Sequence, residues 1–222
     1  MPRGERGSAL VLVLLCATLF LALGGALVTI ASTDATISAT FRESAAALAG
    51  AEAGLARATA DLTAADWNAA LTGSAISSFH DGADTGSRRL PDGSMLDLVT
   101  ATNIERCGNA ACTDAQIAAV TAERPWGANN PRWQRYASGF LESITAASGD
   151  APHVYVIVWV GDDPLESDAD PLMDDPNPGA PGHEAILIRA AAYAAYRVRR
   201  RVEVRARRDD GVVRLSLWRE IR

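Results

Sequence analysis

The first strong feature of the chain is an apolar segment close to its N-terminus. Residues 8–30 contain no charged side chain and directly follow the stub MPRGERG. About 20 apolar residues in a helix, each adding about 1.5 Å, are enough to cross the hydrocarbon layer of a bilayer. A cleaved secretory signal has a shorter apolar core, of about 7–15 residues, followed by a cleavage site of small residues. The pattern therefore predicts a transmembrane helix over residues 8–30.

The helical pattern continues past this apolar segment. Residues 31–66 are rich in strong helix formers and contain no Gly–Pro break. Their large apolar residues recur mainly at a spacing of seven, which places them on one face of a helix. These residues are Ile37, Phe41, Leu48, Leu55 and Leu62. We expect one helix to leave the membrane and to continue for several turns, with its apolar face covered by a β-sheet.

The pattern changes again in residues 67–222. Residues 72–94 are rich in Gly, Ser and Asp and are predicted to form a loop, whereas residues 95–102 are predicted to form a strand. Residues 123–133, with two Trp beside Pro and Gly, are predicted to be irregular. Runs of β-branched and aromatic residues then predict strands over residues 135–147, 153–161, 184–194, 199–208 and 212–221. The chain is therefore predicted to be an α+β protein, with a long N-terminal helix packed on a C-terminal antiparallel sheet.

The strand predicted over residues 199–208 alternates between apolar and charged side chains. Val202, Val204 and Ala206 are predicted to face the core, because successive side chains of a strand point to opposite faces. The charged residues predicted to face solvent are Arg201, Glu203, Arg205 and Arg207. The segment Asp209-Asp210-Gly211 predicts a hairpin turn into the last strand.

Charge and composition narrow the function. The net charge of −6 and the pI near 5.1 do not indicate a nucleic-acid-binding protein as a whole. In the N-terminal stub, Arg3 and Arg6 outnumber Glu5, and the positive-inside rule then places the stub in the cytoplasm and the residues after the apolar segment outside. The sequence contains no Gly-rich phosphate loop, nucleophile elbow or HExxH motif, and its three His are widely separated. We therefore expect a protein that is not an enzyme.

The cysteines suggest one short crosslink. Cys16 lies in the apolar segment and is expected to act there as a small apolar residue. Cys107 and Cys112 are expected to lie outside the membrane, where an oxidising compartment permits a disulfide. Free thiols and a metal-binding pair are the alternatives, although no matching His or second Cys pair accompanies them.

An acidic segment is the candidate metal site. Residues 161–182 hold seven acidic side chains and no basic one. Such a density of oxygen ligands suits Ca²⁺, although the spacing is not that of an EF-hand. The candidate ligands are Asp163, Glu166, Asp168, Asp170, Asp174 and Asp175. The alternative is a solvated acidic turn between two strands.

A basic segment is the candidate nucleic-acid contact. Residues 197–208 carry seven Arg and one Glu, and a row of Arg can bind a phosphate backbone. DNA binding is nevertheless the less favoured interpretation, because Val202 and Val204 belong to a core and the Arg side chains can pair with the acids of residues 161–175.

The N-terminal residues resemble a known family. Arg6-Gly7 stands directly before Ser8 and the apolar segment, which resembles the class III leader of type IV pilins. The wider match, RGSALVLVLL followed by FRESAAALAGAEAGLARA, is similar to the N-terminal domain of PilX-type minor pilins over residues 4–62, with a weaker likeness in the last 40 residues. The resemblance implies cleavage between Gly7 and Ser8 by a prepilin peptidase. It also implies a cytoplasmic leader (1–7), a transmembrane helix (8–30), its periplasmic continuation (31–66) and a pilin-like globular domain (67–222).

One residue departs from the pattern of major pilins. Leu12 stands where major pilins carry a Glu, five residues into the mature chain. The resemblance then implies a minor pilin of the inner membrane, and of the pilus or its tip once assembled, that initiates assembly or forms a tip complex. Its implied partners are other minor pilins and the major pilin, which pack through N-terminal helices, and a tip adhesin. Calcium loops occur in some pilins, which supports the metal-site hypothesis. The alternatives are a tip pseudopilin of a type II secretion system and a membrane-anchored binding module.

Overall fold

The structure is a computed structural model that describes residues 5–83, 85–142, 153–166 and 168–221. The chain divides into two compact units, Met1–Arg42 and Glu43–Arg222. Helix α1 spans Glu5–Ala64 without a break, so residues 31–64 continue the apolar segment as predicted. Asp66, the last residue of the predicted continuation, instead caps the N-terminus of the short helix α2 (Trp67–Leu71).

In the first unit, helix α1 has no covering layer among the described residues. The side chains of residues 8–38 are all exposed. By length and composition the helix can cross a membrane, as an anchor or a signal sequence would. The prediction that a sheet covers the apolar stripe is wrong for Ile37 and Phe41, which are 62% and 74% exposed. Both belong to this first unit.

The second unit is built on a five-stranded antiparallel sheet. Its strands follow one another in space in the order of the sequence, β3-β4-β5-β6-β7. They are β3 (Gln134–Phe140), β4 (Tyr155–Asp162), β5 (Ala185–Tyr193), β6 (Arg199–Asp209) and β7 (Val212–Ile221). These correspond to the five predicted C-terminal strands, except that the strand predicted over residues 135–147 ends at Phe140; residues 143–147 lie outside the described residues. The predicted α+β class is therefore confirmed.

The C-terminal part of α1 packs on one face of this sheet. Leu55 and Leu62 are buried and Leu48 is half-buried against the same core, so the stripe prediction is confirmed for this part of the helix. The sheet contributes Val and Ala side chains to this core: Val156, Val158, Val160, Ala190, Ala192, Val202, Val204 and Ala206.

Two glycines set the distance between helix and sheet. A Cβ atom added to Gly54 would lie 2.6 Å from Val156 Cγ1, and one added to Gly50 would lie 2.9 Å from Val154 Cγ1. Contacts this short are not tolerated, so only glycine permits this separation. Both belong to the AGAEAGL segment, residues 49–55, within the stretch that resembles the N-terminal domain of PilX-type minor pilins.

The other face of the sheet is covered by helix α3 (Leu98–Cys107). Leu98 and Ala101 pack with sheet side chains that include Ile157 and Trp159, and Trp159 Nε1 donates to Thr102 Oγ1 at 3.0 Å. The predicted strand over residues 95–102 is therefore largely wrong, because only Met95–Asp97 are extended. Asp97 ends this strand and caps α3 by accepting a hydrogen bond from the Thr100 N–H at 2.8 Å.

The remaining elements are short. Strands β1 (Ser87–Arg89) and β2 (Met95–Asp97) pair with each other. Strand β1 lies within residues 72–94, which were predicted to form a loop, and β2 directly follows them. Helix α4 spans Asp114–Ile117, and two 3-10 turns span Gly127–Asn129 and Ala195–Arg197. The predicted hairpin joins β6 to β7: Asp210 and Gly211 both have positive φ, 49° and 77°, which is the geometry of a tight I′ turn.

Candidate functional site

The six predicted calcium ligands lie between the end of β4 and the start of β5, and they occupy different environments. Asp163 is buried and ion-paired, because Arg205 Nε donates to its Oδ2 at 2.6 Å. Asp168 and Asp170 are exposed and each accepts a hydrogen bond from a backbone N–H two residues on. Glu166 and Asp175 are buried, and Glu166 Oε2 accepts from the Asp175 N–H at 3.0 Å. The structure therefore separates the exposed turn acids from the buried ones.

Three carboxyl groups form a cluster that we call the acid cluster: those of the buried Asp162 and Glu166 and of the half-buried Asp174. Asp162 is 3% exposed and Glu166 is 5% exposed, and their carboxyl groups lie within hydrogen-bonding reach of each other. Asp162 Oδ1, Glu166 Oε1 and Asp174 Oδ1 are buried and receive no hydrogen bond within the part of the chain that the structure describes. Sequence reasoning missed Asp162, which is the last residue of β4 and ends its apolar run.

The environment of the acid cluster favours protonation. Burial, together with the negative charge of Glu166, raises the pKa of Asp162 well above its usual range. Burial also raises the pKa of Glu166, and the charge of Asp174 adds to this effect. Burial likewise raises the pKa of Asp174. Since like charges this close cannot all persist in a buried site, the cluster either holds protons or needs a cation.

Among the described residues, no three Asp, Glu, His or Cys side chains are grouped to hold one metal ion. A Ca²⁺ ion bound by Asp162 and Glu166 would need further oxygen ligands from the backbone or from water. The calcium site therefore stays a prediction.

A second group of buried acids lies on the α3-facing side of the sheet, and we call it the arginine network. Its acids are Glu105 of α3, 3% exposed, and Glu203 of β6, 1% exposed. Glu105 accepts from Arg189 at 2.7 Å and from Arg199 at 2.6 Å. Glu203 accepts from Arg189 Nε at 3.0 Å and from Arg219 Nε at 2.7 Å. The prediction that Glu203 faces solvent is wrong, because these guanidinium groups and α3 enclose it.

No protein-family model matches the chain, and no curated protein or solved structure is significantly similar to it.

The basic segment is mostly engaged inside the protein. Arg199 and Arg201 bind Glu105, and Arg205 binds Asp163, an acid of the segment that was expected to supply partners. Arg208 Nη2 donates to the carbonyl oxygens of Leu62 and Ala65 at the C-terminal end of α1, at 3.1 and 2.9 Å. These contacts leave little of the segment for a phosphate backbone, and DNA binding remains the less favoured interpretation.

The predicted disulfide is present. Cys107 and Cys112 are joined by an S–S bond, with their Cα atoms 6.0 Å apart. The bond closes a loop at the C-terminal end of α3, where Gly108 caps the helix with a φ of 80°. Arg124 donates from Nη2 to the Cys107 carbonyl oxygen at 3.0 Å, so the loop is also held to the segment that precedes β3.

The predicted leader cleavage site lies at the start of α1. Gly7 and Ser8 both lie within the helix. Farther along, the structure leaves the surface around Gly24 and Gly25 open, since a Cβ added to either would meet nothing within 4 Å. Neither glycine packs closely against any other described part of the chain.

Proposed function

We propose that this chain is a membrane-anchored minor pilin of the PilX type, which joins an initiating or tip complex of a type IV pilus. The single observation that carries the proposal is α1: one helix from Glu5 to Ala64 whose residues 8–38 are all exposed. A long exposed apolar helix needs lipid around it, or other helices of the same kind. The resemblance of residues 4–62 to minor pilins supports lipid as the surroundings of this helix before assembly and other pilin helices as its surroundings after assembly.

The proposed role is structural and depends on helix packing. Gly24 and Gly25 offer a smooth surface on which a neighbouring helix can approach closely, as small residues do in membranes. Their role is unlike that of Gly50 and Gly54, against which the chain's own sheet already packs. Leu12 provides no carboxylate for a neighbouring subunit, and this supports a minor or terminal position rather than a repeated one.

The proposal includes processing and topology. A prepilin peptidase cuts between Gly7 and Ser8 on the cytoplasmic side, and the second unit lies in the periplasm. Mass spectrometry of the membrane-extracted protein should find Ser8 at the N-terminus. An intact Met1 terminus, or one near residue 33, would contradict this part of the proposal.

The test of the whole proposal is deletion with complementation. Loss of the gene should remove surface pili and twitching motility, and the wild-type chain should restore both. A Gly24→Leu/Gly25→Leu variant should reach the membrane at normal levels and fail to restore pili, because the larger side chains block helix approach. Ala22→Leu is the control, since it also places a large side chain in the apolar segment but leaves the glycine pair intact.

The alternatives give different results in the same strain. A tip pseudopilin would leave pili intact and reduce type II secretion. A membrane-anchored binding module would leave pili, motility and secretion unchanged, and either result would refute the minor-pilin assignment.

A further inference from the structure

The two edges of the five-stranded sheet differ in whether another segment of the chain pairs with them. At the β3 edge, a neighbouring segment continues the hydrogen bonding: the Ser77 N–H donates to the Tyr136 carbonyl at 2.8 Å, and the Ser138 N–H donates to the Phe79 carbonyl at 3.2 Å. At the β7 edge, β6 is the only strand paired with β7 among the described residues. Every second residue of an edge strand directs its N–H and C=O groups away from its neighbour, and these groups can pair with an added strand.

The open edge is long and carries exposed apolar side chains. β7 has 10 residues, and Val212, Leu215, Leu217 and Trp218 are 55%, 48%, 58% and 53% exposed. Proteins usually protect such an edge by shortening or covering it, because it otherwise recruits other strands. Four large exposed side chains on one strand therefore mark β7 as a surface for a partner.

The backbone of β7 is strained at the centre of this surface. Leu217 has a φ of 51°, which is uncommon for a branched residue, and the β6–β7 register shifts between Glu203 and Arg205. Bulges of this kind and positive φ at non-glycine residues are concentrated at functional edges.

The charges beside β7 specify the partner. Arg207 of β6 lies directly opposite Arg214 of β7. Like charges directly opposite each other destabilise a strand pair. Within the described residues, Arg207 has no ion pair, and Arg214 has one exposed contact to Asp209 at 3.6 Å. By contrast, the pair Glu203 and Arg219 farther along is matched in charge. An acidic side chain on an added strand would supply the negative charge that the Arg207–Arg214 pair lacks.

A second copy of the chain does not meet this requirement. Two β7 strands paired antiparallel over their full length would place Arg214 of each opposite Arg219 of the other. The self-pair would therefore add like charges to an edge that already has an excess of arginine.

We propose that β7 binds an extended segment of another protein, which pairs edge to edge with β7 and carries acidic side chains on the arginine side and apolar side chains on the other. The backbone pairing supplies affinity, and the position of the acidic residue opposite Arg214 sets the register. This inference does not depend on the identity of the filament or on the membrane topology.

The experiment uses the full-length chain in detergent micelles and two synthetic ten-residue probes. One probe alternates Val and Glu, and the other alternates Val and Lys. Fluorescence anisotropy of the labelled probes gives Kd, and hydrogen–deuterium exchange locates the bound strand. The Val–Glu probe should bind about fivefold to tenfold more tightly than the Val–Lys probe, because opposite charges on paired strands attract and like charges repel. It should slow exchange in residues 212–221 and leave residues 134–140 unchanged.

Variants test the charge argument. Arg214→Glu should remove the preference for the Val–Glu probe or reverse it, and Arg89→Glu on β1 is the matched control that should change nothing. If Arg214→Glu fails to fold by near-ultraviolet circular dichroism, Arg207→Glu tests the same pair from β6. Equal affinity for both probes, binding without protection of residues 212–221, or concentration-dependent dimerisation that protects β7 would each overturn the proposal.

Discussion

The second unit buries two groups of acidic side chains, and the groups differ in what surrounds them. In the arginine network, Glu105 and Glu203 are enclosed by four guanidinium groups, those of Arg189, Arg199, Arg201 and Arg219. In the acid cluster, Asp162, Glu166 and Asp174 lie near each other, and each leaves a buried oxygen without a hydrogen bond from any residue that the structure describes. Burial alone therefore does not decide the effect of a carboxylate on stability. The neighbouring groups decide it, because a carboxylate charge stabilises the arginine network and opposes folding in the acid cluster.

Removing an acid from the arginine network should have the largest effect. Glu105→Gln leaves Arg189, Arg199 and Arg201 beside a neutral group. Breaking a buried ion pair costs about 3–5 kcal/mol of stability, and we expect about 3 kcal/mol because the arginines are partly exposed. Chemical denaturation of the full chain in detergent, followed by Trp fluorescence, measures the loss. Glu220→Gln is the control, since its pair with Arg200 is partly exposed on both sides and should contribute less than about 1 kcal/mol. Equal losses for both variants would contradict the comparison.

The pH dependence of stability should carry the signature of the acid cluster. A carboxyl group whose pKa is raised by folding stabilises the folded state below its unfolded pKa, near about 4. That contribution is lost as the pH rises through the higher folded pKa. The free energy of unfolding should therefore fall by about 2 kcal/mol between mildly acidic and alkaline pH. The double variant Asp162→Asn/Glu166→Gln should flatten this part of the profile, and an unchanged slope would show that the cluster is not its source.

Neutralising one member of the acid cluster should have the opposite sign to the Glu105 change. Asp162→Asn removes the need to take up a proton on folding and keeps a side chain that can donate to Glu166. We expect a gain of about 1 kcal/mol at pH 8 relative to pH 5, because the wild-type carboxyl group takes up its proton on folding at a cost that grows as the pH rises. Thermal melts at the two pH values measure the difference. Asp168→Asn, in the exposed turn, should change stability at neither pH, and a loss of stability in Asp162→Asn at pH 8 without added metal would contradict the acid-cluster interpretation.

Of these tests, the addition of Ca²⁺ should change the free energy of unfolding least. If the acid cluster binds Ca²⁺, the ion stabilises the folded state by about 0.4 kcal/mol when its concentration equals its Kd. Melting curves in millimolar Ca²⁺, reversed by a chelator, would detect this gain. Glu166→Gln should abolish it and Asp168→Ala should preserve it. The reverse result would assign the ion to the exposed turn acids, and no gain in the wild type would refute the calcium site.

The sequence predicted the scaffold better than the charged interior. The five C-terminal strands followed from β-branched runs, and the Asp209-Asp210-Gly211 turn followed from its residues, because these signals are local. Helix α3 was missed because Val99 and Thr100 look strand-like, although Asp97 is a preferred N-cap residue.

The buried acids could not be predicted, because their partners are distant in sequence. Glu203 sits in an alternating charged strand that looked solvated, and the helix that encloses it supplies Glu105, 98 positions earlier by residue number. For Asp162 a weak signal existed: it directly follows the continuous apolar run of β4, where burial extends to the last residue. Ile37 and Phe41 show the reverse error, because a helical stripe indicates a covered face and does not say which molecule covers it.

The bond between Cys107 and Cys112 has a consequence for how the chain can be followed in a cell. Cytosolic reductants keep such thiols reduced, whereas a periplasm oxidises them. A chain whose second unit has been exported would therefore show a single alkylatable thiol after denaturation, that of Cys16, and a chain retained in the cytosol would show three. The number of alkylated thiols therefore reports whether the second unit has been exported, and it can be measured from the mass of the alkylated chain by gel electrophoresis or mass spectrometry.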